Sequence, residues 1–242
     1  MPNTDRHMPG SFCWLELATT DQNAAKKFYG SLLGWTSSDR PMGPDEVYTM
    51  FAKNDRRVCG CYKLRMDMLA EGVPPHWMLY VCVAHADETV AKVKSAGGSV
   101  MCDPFSVFDF GRMTIFKDPS GAHLAIWQPK SHPGYGIEHE PGAFTWADLM
   151  TGNQSQAGKF YESVFGWKMN SGENQSGHLH IKNGDRVIGG IQPAGALPSN
   201  TPPHWMPYIM VESCDASTDK AKQLGAKLLL RPETMARDGR WS

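Results

Sequence analysis

The chain repeats itself. Gly10, Phe12, Trp14, Glu16 and Leu17 return as Gly142, Phe144, Trp146, Asp148 and Leu149, an offset of 132, and the same offset carries Phe28, Tyr29, Gly34 and Trp35 onto Phe160, Tyr161, Gly166 and Trp167. Further along, Pro74 through Met78 return as Pro202 through Met206, an offset of 128, and Tyr80, Asp87, Gly97 and Pro104 follow as Tyr208, Asp215, Gly225 and Pro232. Such self-similarity constrains the fold more than any composition does, because one unit must be built twice and the copies must be able to share a core. The second copy is four residues shorter, which a hairpin absorbs. By the later offset Ser242 matches Thr114, so no counterpart of residues 115–129 follows, and the second copy is expected to lack its C-terminal strand.

Local signals give the unit its shape. Residues 12–18 alternate as a strand does, Thr20 or Asp21 can cap a helix whose Ala25, Phe28, Tyr29, Leu32 and Leu33 share one side, and Gly34 ends it. Two strands near 47–53 and 57–64 follow across an Asn54-Asp55 turn; the second copy has 178–182 and 186–192 about Asn183-Gly184, a strong hairpin signal. After the double proline, 77–83 reads as a strand, 86–96 as a helix, and 113–117 and 123–127 as strands around the Asp118-Pro119-Ser120-Gly121 turn. The fold class is therefore α+β: tandem paired βαβββ modules, four in all, forming two domains (10–129 and 142–242) with curled mixed sheets. The polar, Pro- and Gly-marked stretch 130–141 reads as a linker.

Composition narrows the partners. The 242 residues hold 24 Lys+Arg against 25 Asp+Glu, so no overall field favours nucleic acid or an anionic membrane, and a small near-neutral molecule is the expected ligand. The six cysteines lack zinc or redox spacing and fall mostly in apolar runs, as reduced core thiols do. Without a signal-like or membrane-length apolar stretch, the chain is expected to be cytoplasmic, as a monomer of two domains or a homodimer.

Phe28, Tyr29, Leu32, Leu33, Gly34 and Trp35 at the first helix end, their copy from Phe160 to Trp167, and the Asp118-Pro119-Ser120-Gly121 turn together resemble the vicinal-oxygen-chelate superfamily of glyoxalases, bleomycin-resistance proteins and extradiol dioxygenases. Trp14, Glu16, Leu17, Gly111, Arg112 and Met113 make the chain most similar to double-domain glyoxalase-like proteins of actinobacteria. The resemblance implies a pocket on each concave sheet face and lyase or dioxygenase activity, with a non-catalytic, sequestering resistance-type binder as the alternative. It also implies metal ligands on the facing strands. The matching slots here hold Trp14, a residue near Gly60, Met78 and Ala125, poor partners for a hard cation, so a divalent metal is disfavoured and no cofactor is expected.

Strand alternation groups the candidates. Trp14 with Glu16, His76 with Tyr80, and His123 with Trp127 should share a face in the first copy, as should Trp146 with Asp148 and His204 with Tyr208 in the second. Glu16 and Asp148 are the candidate catalytic carboxylates, each paired with a histidine, His76 or His204. Trp14, Tyr80, Trp127, Trp146 and Tyr208 would form aromatic walls, and Arg112, before a late strand, would receive a ligand carboxylate. The plainer alternative stays open: core aromatics, hydrogen-bonded carboxylates, rim histidines and a surface arginine bracing its turn.

Overall fold

In the computed structural model, residues 6–44, 46–171, 177–196, 200–235 and 239–241 are described. The first half runs β1 (Phe12–Thr19), α1 (Gln22–Leu33), β2 (Thr36–Pro41), β3 (Val47–Lys53), β4 (Arg56–Lys63), α2 (Met66–Ala70), β5 (His76–Cys82), α3 (Ala86–Ser95), β6 (Ser99–Val100), β7 (Phe105–Val107), β8 (Gly111–Lys117) and β9 (His123–Pro129). The second runs β10 (Phe144–Met150), α4 (Gln154–Phe165), β11 (Lys168–Ser171), β12 (Leu179–Asn183), β13 (Arg186–Ile191), β14 (His204–Ile209), α5 (Cys214–Gln223), β15 (Glu233–Met235) and β16 (Gly239–Trp241).

The predicted punctuation does its work. Asp21 caps α1 by accepting from the Ala24 N–H at 2.9 Å, and Asn153 caps α4 in the same way at Gln156. Gly34 and Gly166 end these helices with positive φ, 70° and 75°, where a Cβ would be strained. Strand β2 was not foreseen. All six of its residues are exposed, so no apolar alternation marks it.

The first half forms one sheet in the order β2-β3-β4-β1-β5-β9-β8-β6, with β7 beside β8. Its two modules meet where β1 pairs antiparallel with β5, and each of these strands has a parallel neighbour, β4 and β9 respectively. The second half repeats the plan as β11-β12-β13-β10-β14, with β15-β16 as a separate hairpin that matches β7-β8 by the 128 offset. Among the described residues β14 has a strand partner on one side only, β10. Met206 and Tyr208 on it are accordingly half-buried, whereas Met78 and Tyr80 on the doubly flanked β5 are buried.

The halves join through exchanged indoles. Trp35 Nε1 donates to the Gly142 carbonyl at 2.7 Å and Trp167 Nε1 donates to the Gly10 carbonyl at 2.7 Å, so each Gly-Trp helix end clasps the entry glycine of the other copy. Around them Phe12 packs against Phe144, Trp167 and Trp205. The Asp118 turn brackets the same seam. Its Oδ1 accepts from the backbone of Ser120, Gly121 and Ala122, and its Oδ2 accepts from Tyr161, whose hydroxyl accepts in turn from Trp205 Nε1.

The stretch 130–141 is packed into the protein through its middle, with Lys130, Ser131, His139 and Pro141 exposed. Tyr135 and Ile137 are buried, Tyr135 Oη donates to the Phe12 carbonyl at 2.7 Å, and Gly134 (φ +122°) runs so close to β1 that a Cβ would stand 2.2 Å from the Cys13 carbonyl oxygen. Its glycines and prolines suggested a tether, and its few apolar residues are what seat it.

Candidate functional site

Ladder register decides which side chains share the concave faces, because directly paired residues point to the same side of a sheet. In the first half Glu16 lies between Gly60 and Met78, Trp14 lies beside Tyr80, Ala18 lies beside His76, and Tyr80 continues to Ala125. Tyr48 and Tyr62 extend this face on β3 and β4, and Met113 and Ile115 extend it on β8. The grouping of Trp14, Glu16, His76, Tyr80, His123 and Trp127 on one face follows from this register.

Glu16 is the centre. Its Oε1 accepts from Tyr48 Oη at 2.6 Å and its Oε2 accepts from Tyr80 Oη at 2.5 Å, while Trp14 Nε1 donates to Tyr48 Oη at 3.0 Å. Tyr48 reaches the carboxylate by lying over Gly60, where a Cβ would stand 1.8 Å from its hydroxyl. The second half keeps the plan with other side chains. Asp148 Oδ1 accepts from Trp146 Nε1 at 2.8 Å and lies 2.9 Å from His178 Nε2, its Oδ2 accepts from Gln192 Nε2 at 2.6 Å, and Tyr208 also engages it. His178 lies over Gly190 as Tyr48 lies over Gly60, with a Cβ there 2.2 Å from its Nε2.

The two carboxyls are tuned in opposite directions. Burial pushes Glu16 above its ordinary 4.5, against the pull of the Tyr48 and Tyr80 hydroxyls and the charge of His76. Burial also acts upward on Asp148, but His178, Trp146 and Gln192 outweigh it and hold that carboxyl below its ordinary 3.8. The signs differ in their consequences for stability. Asp148 contributes stability that is present above pH 3.8 and lost as pH falls through its depressed value. Charged Glu16 carries a penalty that is absent below pH 4.5 and complete above its raised value. Urea midpoints followed from acid to neutral pH should therefore show Asp148→Asn falling behind the wild type, and Glu16→Gln gaining on it. Parallel curves for all three proteins would refute the tuning.

Several expected pairings are not made. His76 does not bond Glu16, since its Nδ1 lies 2.8 Å from the Pro74 carbonyl oxygen, and His204 likewise lies 2.8 Å from the oxygen of Pro202. A histidine two residues after such a proline is turned back onto its own strand entrance, and the imidazole at Asp148 is His178 instead. Arg112 is corrected as well. It pairs with Gln128, on the face opposite Trp127, and its guanidinium forks onto Asp87 of α3 at 2.8 and 3.0 Å. His123 is exposed at the rim, its imidazole pushed down by burial and by the charges of Lys117 and His76. Trp14, Tyr80 and Trp127 are buried, whereas Trp146 stays half-buried. In the first half the half-buried side chains of this face are Glu16, Tyr48, Tyr62, His76, Met113 and Ile115.

Tyr48, Tyr62, His178 and Gln192 were not singled out from the sequence. The signal that would have found Tyr48 and His178 is Gly60 and Gly190, each facing a side chain that crosses it; Tyr62 and Gln192 carry no such mark.

The family model described as the Glyoxalase/Bleomycin resistance protein/Dioxygenase superfamily matches residues 11–126 and 143–242. The chain belongs to this superfamily. Among similar members, a Mycobacterium bovis protein named "Putative glyoxylase" is 36% identical over 100% of this chain and 93% of its own. An anthracycline biosynthesis protein of Streptomyces peucetius is 29% identical over 97% of this chain and 89% of its own. Of solved structures, the Mn(II)-bound glyoxalase from Novosphingobium aromaticivorans aligns with a TM-score of 0.64 at 15% identity, over 93% of this chain and 74% of that one. The 2,3-dioxygenase LapB from Pseudomonas sp. KL28 also aligns at 0.64, with 14% identity over 95% and 86%. At such identities these structures show the shared fold of the superfamily.

The donor set here does not fit the divalent ion of the metal-dependent superfamily members. Glu16 is flanked by Gly60 and Met78, with Ala125 beyond Tyr80, and among the described residues no three His, Cys, Asp or Glu side chains are disposed around a common point. Hard divalent cations need several oxygen or imidazole donors converging at once. No helix of the described residues is long and apolar enough to cross a membrane.

Proposed function

We propose that the first concave face binds a flat organic molecule carrying a hydroxyl or carbonyl group, and that Glu16 exchanges a proton with it. The observation that carries this reading is a carboxyl held in place by two phenols, raised in pKa by burial, and partly accessible from the face. A carboxyl so placed can donate to a carbonyl when protonated and accept from a hydroxyl when ionised. Met113, Ile115 and Tyr62 supply apolar and aromatic surface beside it, as small-molecule sites commonly do. Proton transfer of the lyase type is the enzymatic form of this reading. Balanced charge argues for a small partner over nucleic acid or membrane, and a cytoplasmic location goes with the unbridged thiols at Cys13, Cys59, Cys61 and Cys82.

A sequestering binder is the second reading, favoured because both Glu16 oxygens are already engaged by hydroxyls. One titration addresses the site and a second measurement separates the readings. The probe is 1,8-dihydroxyanthraquinone, a flat hydroxylated quinone of the kind to which the name of the Streptomyces relative points, followed by quenching of tryptophan fluorescence. The wild type should saturate, and Glu16→Gln should bind about tenfold more weakly, a difference of about 1.4 kcal/mol. No saturation, or equal affinity in the variant, would end the proposal. Turnover of the probe, of the hemithioacetal of methylglyoxal or of catechol would favour the enzyme, and saturable binding without turnover the sequestering protein.

A further inference from the structure

A residue from outside the sheet packs its ring against two tryptophans of the first face. His132, in the stretch between the halves, holds its imidazole nearly perpendicular to both Trp14 (centroids 4.7 Å apart, planes at 83°) and Trp127 (6.0 Å, 88°). Trp14 lies beside Tyr80, which binds Glu16, so this aromatic slot adjoins the carboxyl. We propose that the slot between Trp14 and Trp127 is a ring-binding subsite for a neutral, flat aromatic group, and that the His132 imidazole fills it until such a ring displaces it. The inference deepens the Glu16 reading and rests on it for the nature of the complete ligand, but the slot itself stands on separate contacts.

Two observations set the subsite apart from ordinary core packing. First, the backbone around His132 is fixed independently of the ring. The N–H groups of Lys130 and His132 donate to the Phe110 carbonyl, the His132 carbonyl accepts from Trp127 Nε1 at 2.8 Å, and the Tyr135 N–H donates to the Cys13 carbonyl at 2.8 Å. Displacement of the imidazole therefore asks for a side-chain rotation alone, with these backbone bonds kept. Second, the occupant is itself a neutral aromatic ring at ordinary pH, because burial, with Arg57 next in weight, pushes the imidazole down to about 4. A ring held perpendicular to two indoles uses the T-shaped geometry such pairs favour, and another small ring can reproduce it. The residue plugging the slot thus indicates the chemistry the slot accepts.

The test uses the full chain with phenol and imidazole as probes. In His132→Gly the vacated slot should admit either probe, quenching tryptophan fluorescence and raising the thermal midpoint at concentrations about tenfold below those needed with the wild type. Adding Trp14→Phe to this variant should weaken phenol binding, with Trp127 on the other side of the slot left as the reporter. His132→Phe, which refills the slot with a ring that fits more tightly, should show no phenol response and should bind 1,8-dihydroxyanthraquinone about tenfold more weakly than the wild type does. If His132→Gly fails to fold, His132→Ala makes the same comparison. Equal phenol responses in wild type and the emptied variants, or undiminished anthraquinone affinity in His132→Phe, would overturn the proposal. The outcomes separate the two readings. Phenol binding in the emptied slot together with no effect of Glu16→Gln on the anthraquinone would sink the Glu16 reading alone. A clear Glu16→Gln effect without phenol binding would sink the subsite alone.

Discussion

Replacing Trp167 by alanine should cost about 3–5 kcal/mol of unfolding free energy, the range for emptying a large aromatic from a core. Trp167 is fully buried and touches Phe12, Tyr161, Phe165 and Trp205, so the surrounding rings come from both halves and cannot all close in on the space. Its indole also donates to the Gly10 carbonyl across the seam, and losing that donor leaves a buried acceptor without its partner. Since a domain of ordinary stability has about 5–15 kcal/mol in hand, the variant should be near the edge of folding. Trp167→Phe should retain much of the packing and lose the hydrogen bond, placing it between the two. Urea unfolding followed by far-ultraviolet circular dichroism measures all three, with Trp35→Ala as the internal comparison, because Trp35 clasps Gly142 in the mirrored position. A loss below about 1 kcal/mol for Trp167→Ala would mean that the exchanged indoles do not hold the halves together.

The same indoles show what the sequence could disclose. A Gly-Trp pair recurring at one offset, with a capping Asp or Asn before it and an alternating strand earlier still, is a pattern that local physics makes readable, and the helices and inner strands follow it closely. What it could not disclose depended on contacts between distant segments. Strand β2 is exposed throughout, and the side chains that tie it down, Thr36 to the Ala52 carbonyl and Asp39 to Thr49 and Lys26, are polar, so no apolar periodicity marks it. The seating of residues 130–141 rests on Tyr135 and Ile137 among polar neighbours, a weak signal in any window.

At the candidate site the alternation within strands was legible and the partners across strands were not. Trp14, Glu16, Trp146 and Asp148 could be placed on faces by counting in twos. Which hydroxyl or imidazole reaches each carboxyl depends on register with β3 and β12, fixed only when the sheet assembles. Arg112 misled for a related reason. Read as preceding its strand, it is in fact the second residue of β8, where alternation turns it to the face opposite Trp127 and its guanidinium meets Asp87 of α3.

Gly60 is where that assembly is most exposed to a single methyl group. In Gly60→Ala the new Cβ would stand 1.8 Å from Tyr48 Oη, far inside any real contact, and the phenol must leave. Swinging the ring aside is sterically easy, since only the far end of a side chain has to move. The energetic consequence lies in what it abandons. Glu16 loses one of its two hydroxyl donors, and Trp14, which is buried, loses the acceptor of its indole N–H. Unsatisfied buried polar groups cost about 1–3 kcal/mol each, so a total loss of about 2–6 kcal/mol is expected. Tyr48→Phe alone should lose the same two hydrogen bonds while keeping its ring over the glycine. The double variant should then be well short of the sum of the two, because the bonds can be lost only once. Additive losses in this cycle would show that Gly60 serves the backbone and not the passage of Tyr48. Gly190→Ala provides the parallel in the second half, where the new Cβ would stand 2.2 Å from His178 Nε2 and 2.7 Å from Asp148 Oδ1, so the imidazole and the carboxylate must part. There the carboxyl should rise toward its ordinary value as the imidazole departs, so the acid sensitivity assigned to Asp148 should weaken in the same variant that lowers its stability.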